Sequence, residues 1–290
     1  MKTIGVIPNA DKDSGFVFTK NIIEWIKSKG HNPLISSHIS RLIGAGSTGC
    51  TIKDIYLNAE LLLVLGGDGT ILKVAKHAAI NNIPILGINL GSLGYLTDID
   101  RNDWAVSLEK YLNGDFTIEN RMMLEANTLS SDTENDELVA LNDVCISSGF
   151  FRNMISIELF VNDEYIDFYK ADGIIISTPT GSTAYNLSAG GPILKPDSKM
   201  IAITPICPHM LYSRPFVISS DDKIKIKIGN RVSNDTILSL DGQNIIPVKN
   251  GDIVYIKTSV LKTQIVKTNK MGFYDILRRK MVPAGGNSIL

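Results

Sequence analysis

Apolar and polar positions follow two different rhythms along this chain. In the first hundred residues, buried-strand and helical patterns alternate. Residues 2–8 form a short apolar run closed by Pro8-Asn9, which predicts a buried strand. Ile22, Ile23 and Ile26 fall at helical spacing within 16–29, and Gly30 stands where a C-cap glycine belongs. Leu34-Ile35 predicts a weak second strand. Residues 59–65, nearly all leucine and valine, predict a stronger one of the kind covered on both faces. A helix over 70–80 and a buried strand over 83–89 follow. Strand, helix and strand in succession imply parallel pairing through right-handed crossovers, a Rossmann-like α/β domain.

One further helix is expected over 103–113, with Trp104, Leu108, Tyr111 and Leu112 on its apolar stripe. Beyond it the period shortens to two. Residues 155–161 lead through Asn162-Asp163-Glu164 into 165–170 as a hairpin, and Lys223-Ile-Lys-Ile-Lys-Ile228 alternates strictly. Lys223, Lys225 and Lys227 read as the solvated face of that strand, which also discourages edge pairing, rather than as a nucleic-acid patch. Residues 237–240, an Asp241-Gly242 turn, 245–248 and 253–257 continue the pattern. The expected organisation is an α/β domain over 1–118, a β-rich, sandwich-like domain over 119–267, and a segment 268–290 that returns to the first domain. Within that last segment 273–281 reads as an amphipathic helix ahead of a Pro/Gly tail.

Composition narrows the class. Of 290 residues 44 % are apolar and 20 % charged, and 29 basic against 30 acidic side chains leave a formal charge of −1. That balance offers no global field for nucleic acid or an anionic membrane. No apolar run approaches the ~20 residues of a membrane span. The N-terminus enters its first strand with no charged-then-apolar leader, and three scattered cysteines form no CxxC pair, so a cytoplasmic protein is expected. The four histidines show no ligand spacing.

Gly44-Ala-Gly-Ser-Thr-Gly49 matches GxGxxG, but without a clear strand before it or helical periodicity after it the dinucleotide fingerprint lacks its context. Gly66-Gly67-Asp68-Gly69-Thr70 has the right context, between a buried strand and a helix, where α/β sheets bind ligands. Its glycines let backbone approach a phosphate, and the next helix offers free N–H groups. Asp68 is then an acid at a phosphate site, suited to take a proton from an attacking hydroxyl or to help hold Mg²⁺. A second cluster runs from Asp172-Gly173 through an apolar strand into Thr178-Pro-Thr-Gly-Ser-Thr-Ala-Tyr-Asn-Leu-Ser-Ala-Gly-Gly-Pro192, hydroxyls and amides able to line a polar ligand, with Tyr185 available to stack on a base. A third is Asn142-Asp143, an amide beside a carboxylate, suited to ribose hydroxyls.

These segments resemble the NAD kinases over most of the chain. The resemblance rests on GGDGT at 66–70, Gly91-Ser-Leu-Gly-Tyr-Leu96, Leu141-Asn-Asp143, Asp172-Gly173, the run 177–192 and Asp241-Gly-Gln243. GGDGT alone is shared with diacylglycerol and sphingosine kinases. Joined to the 177–192 run and the later Asp-Gly-Gln it is far more specific.

The resemblance implies phosphorylation of NAD⁺ at the adenosine ribose 2′-hydroxyl, with ATP or polyphosphate as donor and Mg²⁺ or another divalent cation as the donor's companion. It implies Asp68 as proton acceptor, with Gly66, Gly67, Gly69, Thr70, Lys73 and Tyr95 in the nucleotide site. Asn142, Asp143, Lys170 and Asp172 would bind the dinucleotide, Thr183, Ala184, Tyr185, Asn186, Leu187 and Ser188 would wrap its adenosine end, and Gln243 would add a contact. No residue is assigned as a metal ligand. A homodimer or homotetramer is implied, with a neighbouring subunit completing the site. Asp143 stands where other members carry Glu, and Asn153 where others carry His or Arg. A lipid kinase would leave Asn142-Asp143 and 177–192 without a purpose, and a non-catalytic dinucleotide sensor would have no need of Asp68.

Overall fold

The computed structural model describes residues 1–128, 138–149, 154–210, 212–229, 236–269 and 271–281. The chain divides into two compact units, Met1–Asn120 with Thr263–Leu290, and Arg121–Lys262.

In the first unit, parallel strands lie in the order Ile85–Asn89, Leu61–Gly66, Thr3–Pro8, Asn32–Ser36, Gly49–Cys50. All six residues of Leu61–Gly66 are buried, as a strand covered on both faces requires. Helices Val17–Ser28, Asp68–Ile80 and Trp104–Leu112 supply the cover. Phe18, Trp25 and Trp104 join edge to face, with centroids 6.0 and 5.4 Å apart. The chain moves outward from Thr3–Pro8 on one side, then returns to build Leu61–Gly66 and Ile85–Asn89 on the other. The order of strands therefore reverses between Thr3–Pro8 and Leu61–Gly66, whose carboxyl ends carry Asn9 and Gly67, the point at which such sheets open a ligand crevice. Beyond residue 262 the chain adds Ile265, parallel to Ile85, and the helix Phe273–Met281 to this same unit.

The second unit is antiparallel. One sheet runs in the order Phe216–Ser219, Met200–Ile206, Gly173–Ser177, Asp143–Ser148, Thr236–Leu240, Asn244–Val248. A second group pairs Glu164–Ala171, Ile155–Val161 and Ile224–Ile228 with residues 253–256. Val144, Ile146, Ile174 and Ile176 of the first meet Ile157, Leu159, Ile224 and Ile226 of the second in one core, so the unit is a sandwich. The 155–171 hairpin turns through Asn162 and Asp163 at φ 50° and 65°. Lys225 and Lys227 face outward to Asp163 at 2.8 Å and Glu158 at 3.1 Å, a solvated strand face laced by cross-strand pairs.

Three local features depart from the sequence reading. Ser37–Leu42 is a helix, so the GxGxxG match at 44–49 follows a helix rather than a strand. Ile52–Asn58 is also helical, closed at its start by a capping box in which Thr51 and Asp54 exchange side-chain and backbone bonds. Only Ile55 of that helix is buried, so no apolar stripe marked it. The last strand extends over Ile253–Lys267, ten residues past the alternation that announced it.

Candidate active site

Asp68 is the first residue of the helix Asp68–Ile80, with Gly67 as its N-cap. Its carboxylate is held by four donors. The N–H groups of Leu96 and Thr97 donate to Oδ1 at 3.0 Å each, Thr97 Oγ1 donates to Oδ1 at 3.1 Å, and the Tyr95 N–H donates to Oδ2 at 2.8 Å. Oδ1 is crowded by three donors, whereas Oδ2 keeps lone-pair capacity. Gly94 makes this seat possible. A Cβ there would overlap Asp68 Oδ1 and Thr97 Oγ1 and stand 2.8 Å from Asp68 Cγ. The loop after Ile85–Asn89 and the first turn of the helix thus fit together only without a side chain at 94.

The glycines around Asp68 differ in kind. Gly66 is bare because Thr70 packs on it, its Cβ 2.8 Å from where one on Gly66 would lie. Thr70 is buried, and its hydroxyl accepts from Asn9 Nδ2 at 3.1 Å and the Gly67 N–H at 3.4 Å, so it ties the first loop to this turn. Gly69 is exposed and meets nothing within 4 Å. Lys73 is exposed on the helix. Tyr95 is flanked by Phe273 at 6.2 Å and by Lys280 Nζ at 4.6 Å from its ring centre, and burial, with the nearby Asp68 charge, pushes its phenol up.

The second unit carries the other constellation. The segment Leu141–Asp143 is gripped by the carboxylate of Asp241, which accepts their three N–H groups at 2.9, 2.6 and 3.2 Å. Asp241 opens the turn between Thr236–Leu240 and Asn244–Val248 at φ 53°, a left-handed position Asp tolerates, followed by Gly242 at φ 66°. On its other side Asn142 O accepts the Thr178 N–H at 2.9 Å, and Thr178 Oγ1 donates to Leu141 O at 2.6 Å. Gly181 lies so close that a Cβ would stand 2.5 Å from the Asn142 carbonyl carbon. The backbone of Asn142 is thereby spent on scaffolding, and its half-buried side chain is left to act.

Asp143 is 5 % exposed. Burial first, and the Asp241 charge second, push its carboxyl up to about 7. Burial also raises Asp241, but its three N–H donors oppose that and demand acceptor oxygens, so Asp143 is the partner that keeps the proton. Between the unfolded carboxyl value near 4 and pH ~7, the folded chain therefore holds a proton that the unfolded chain has lost, and stability falls as pH rises through that window. Asp143→Asn is expected to remove this slope. Above pH 7 the variant should be more stable than the parent by a few kcal/mol, and near pH 4 the two should coincide. Thermal melts across pH 4–8 check this, and parallel curves for the two proteins would contradict it.

The run 181–192 makes a short 3₁₀ turn, Gly181–Thr183, and one α turn, Tyr185–Ser188. Tyr185, Leu187 and Ser188 are exposed, and Thr183 and Ala184 half-buried. Asn186 points the other way. It is fully buried, donates from Nδ2 to Ser182 O at 3.1 Å and Pro192 O at 3.0 Å, and accepts from Thr204 Oγ1 at 2.7 Å. Its side chain pins the loop from within. Lys170, Asp172 and Gln243 are exposed. Asn153 and the tail 282–290 lie outside the described residues. Sequence reasoning missed Thr97 and the grip of Asp241 on 141–143. Asp-Gly marked a turn, but nothing local signalled a bond reaching back about a hundred residues.

Both halves of the chain match known families. Residues 4–116 match the ATP-NAD kinase N-terminal domain, and residues 141–268 the ATP-NAD kinase C-terminal domain. An NAD kinase of Caldanaerobacter subterraneus subsp. tengcongensis is 46 % identical over 281 residues, covering 97 % of this chain and 99 % of the relative. One of Acetivibrio thermocellus is 39 % identical over 285 residues, covering 98 % and 99 %. Among solved structures, yeast NADH kinase complexed with NADH superposes with a TM-score of 0.88 at 26 % identity, covering 100 % of this chain and 89 % of that one. An NAD kinase from Archaeoglobus fulgidus in complex with ATP gives 0.73 at 25 % identity, covering 95 % and 98 %. A seated Asp68 at the end of a parallel strand, an Asn142-Asp143 pair braced by Asp241, and matches to both domain models over nearly the whole length agree: the chain belongs to the NAD kinase family.

Proposed function

We propose that this protein transfers a phosphoryl group from ATP to the 2′-hydroxyl of the adenosine ribose of NAD⁺, giving NADP⁺ and ADP. The observation that carries the reading is the Asp68 carboxylate, fixed by four donors beside a glycine turn that leaves room for phosphate. The 2′-oxygen attacks the γ-phosphorus, the bond from that phosphorus to the β–γ bridging oxygen breaks, and the hydroxyl proton passes to Asp68. Oδ2, with one donor against three on Oδ1, is the oxygen free to take it. A ribose hydroxyl is a weak nucleophile at neutral pH, so a positioned base is worth about 10²–10⁴-fold in rate. The rest is in-line positioning and charge neutralisation.

Asn142 and Asp143 bind ribose hydroxyls of the dinucleotide, Tyr185 and its neighbours hold the adenosine end, and Lys73, Lys170, Asp172 and Gln243 add contacts to the nucleotides. Asn186 acts by holding that loop in shape. Mg²⁺ would enter with the donor and shield its phosphates. Polyphosphate is a second donor to try, and a homodimer or homotetramer is the assembly the family suggests. Among the described residues no helix is long and apolar enough to cross a membrane. The lipid-kinase reading is not favoured, because the matched domain models are both those of ATP-NAD kinase.

The test is NADP⁺ formation by purified protein from NAD⁺, ATP and Mg²⁺, with polyphosphate as alternative donor and diacylglycerol and sphingosine as alternative acceptors. NADP⁺ is the expected product. Phosphorylated lipid with no NADP⁺ from either donor would overturn the proposal.

A further inference from the structure

The loop that follows the first strand carries a cation that none of the sequence motifs quoted above contains. Residues 9–16 leave Thr3–Pro8 at the point where the strand order reverses. The loop is tightly built. Asn9 N–H donates to Leu65 O at 2.8 Å, and the N–H groups of Lys12 and Asp13 donate to Asn9 O at 3.2 and 3.0 Å. Asp13, 4 % exposed, accepts from the N–H of Phe18 at 3.0 Å and from the N–H and Oγ1 of Thr19 at 2.8 and 2.6 Å, which locks the loop to the next helix. Lys12 thus rises from a fixed base.

Its ammonium sits over two glycines from different loops. A Cβ on Gly67 would lie 3.0 Å from Lys12 Nζ, and one on Gly91 would lie 3.1 Å from it. Gly67 precedes Asp68, and Gly91 opens the loop that supplies the Tyr95, Leu96 and Thr97 donors. Lys12 therefore spans the two backbone pieces that hold the Asp68 carboxylate, while its own side chain is exposed and makes no hydrogen bond or ion pair among the described residues. Surface lysines are commonly left in water, but this one is aimed by an anchored loop at bare backbone next to the reacting acid. The nearest chemistry that needs a cation there is a phosphate anion.

We propose that Lys12 binds the phosphates of the phosphoryl donor and steadies the group in transfer beside Asp68. This rests on the kinase reading above and adds to it a residue that reading did not use. An ammonium over Gly67 and Gly91 meets the donor where both loops present backbone without side chains, and it offsets the negative charge that accumulates as the β–γ bond opens. The diphosphate of NAD⁺ has the same chemistry, so the experiment separates donor from acceptor.

The comparison is wild type against Lys12→Met and Lys12→Arg, all as full-length protein. Wild-type NADP⁺ formation tests the kinase reading by itself and must be present for the rest to proceed. In Lys12→Met, kcat/KM for ATP with saturating NAD⁺ is expected to fall by about 10- to 100-fold, the range of a hydrogen bond to a charged group. Calorimetric NAD⁺ affinity without donor should stay within about twofold, and Lys12→Arg should recover part of the loss. The dependence of kcat/KM(ATP) on salt should flatten in Lys12→Met and persist in Lys12→Arg, which a merely structural role would not produce. The melting temperature should hold, since among the described residues the exposed side chain makes no hydrogen bond or ion pair that folding would use. Two outcomes overturn the proposal: unchanged kcat/KM for ATP, or a loss confined to NAD⁺ affinity, which would place Lys12 on the acceptor.

Discussion

Asp68→Asn is expected to lower NADP⁺ formation by about 10³-fold or more while NAD⁺ still binds. The base contributes about 10²–10⁴-fold by itself. The structure adds a second cost. All four partners of Asp68 are donors, and an asparagine must present an NH₂ group to one set of them. An NH₂ in place of Oδ2 faces the Tyr95 N–H, and one in place of Oδ1 faces two N–H groups and the Thr97 hydroxyl. Either orientation sets donor against donor and loosens the loop that aims the side chain. Asn142 and Asp143, proposed above to bind the dinucleotide, take no part in this seat. Steady-state turnover with calorimetric NAD⁺ binding checks the split. Near-normal turnover would remove Asp68 from the role of base, and loss of NAD⁺ binding would mean that its carboxylate serves affinity rather than chemistry.

Gly94→Ala tests the seat without touching the acid. The added methyl would overlap both Asp68 Oδ1 and Thr97 Oγ1, and neither can retreat without surrendering a hydrogen bond to the other's neighbours. Gly94 is buried and its N–H donates to Thr97 O at 3.1 Å, so the backbone is tied as well. If Asp68 is the proposed base, displacing it by about 1 Å costs on the order of 10²-fold in rate. The expected variant folds with a lowered melting temperature, binds NAD⁺, and turns over at about one-hundredth of the parent rate. If turnover survives, the four donors around Asp68 are dispensable to its position.

These two glycine-and-acid effects mark where the sequence was legible. The motif around Asp68 announced itself because a run of leucine and valine, three glycines and a helical pattern are all local signals. The sandwich was legible through strict alternation at 223–228 and the Asn162-Asp163 turn. Other features depend on partners remote in the chain. The helix Ile52–Asn58 buries Ile55 alone, so periodicity was silent and only the Thr51–Asp54 cap spoke for it. Asn186 sits among residues that face outward, and its composition is no different from theirs. Only the fold reveals that Ser182, Pro192 and Thr204 use up its amide. The grip of Asp241 on Leu141–Asp143, and Lys12 above Gly67 and Gly91, likewise come from tertiary placement.

The buried ion pair at the far end of the chain has a consequence for the order in which the protein is made. Lys267 Nζ meets Asp98 Oδ2 at 2.7 Å, with side chains 8 % and 2 % exposed. Lys110 Nζ donates to Thr268 O at 3.0 Å, and Ile265 pairs with Ile85. Asp98 comes one residue after Thr97, the double donor to Asp68. A carboxylate buried without its counter-charge costs about 3–5 kcal/mol, so the loop that seats Asp68 has no settled resting place while residue 267 is still inside the ribosome. The whole inserted β-rich unit is synthesised during that interval. Translation thus delivers the Asp68 carboxylate early and its settled geometry late, and the nascent chain holds no finished seat for Asp68 until Lys267 and Thr268 emerge.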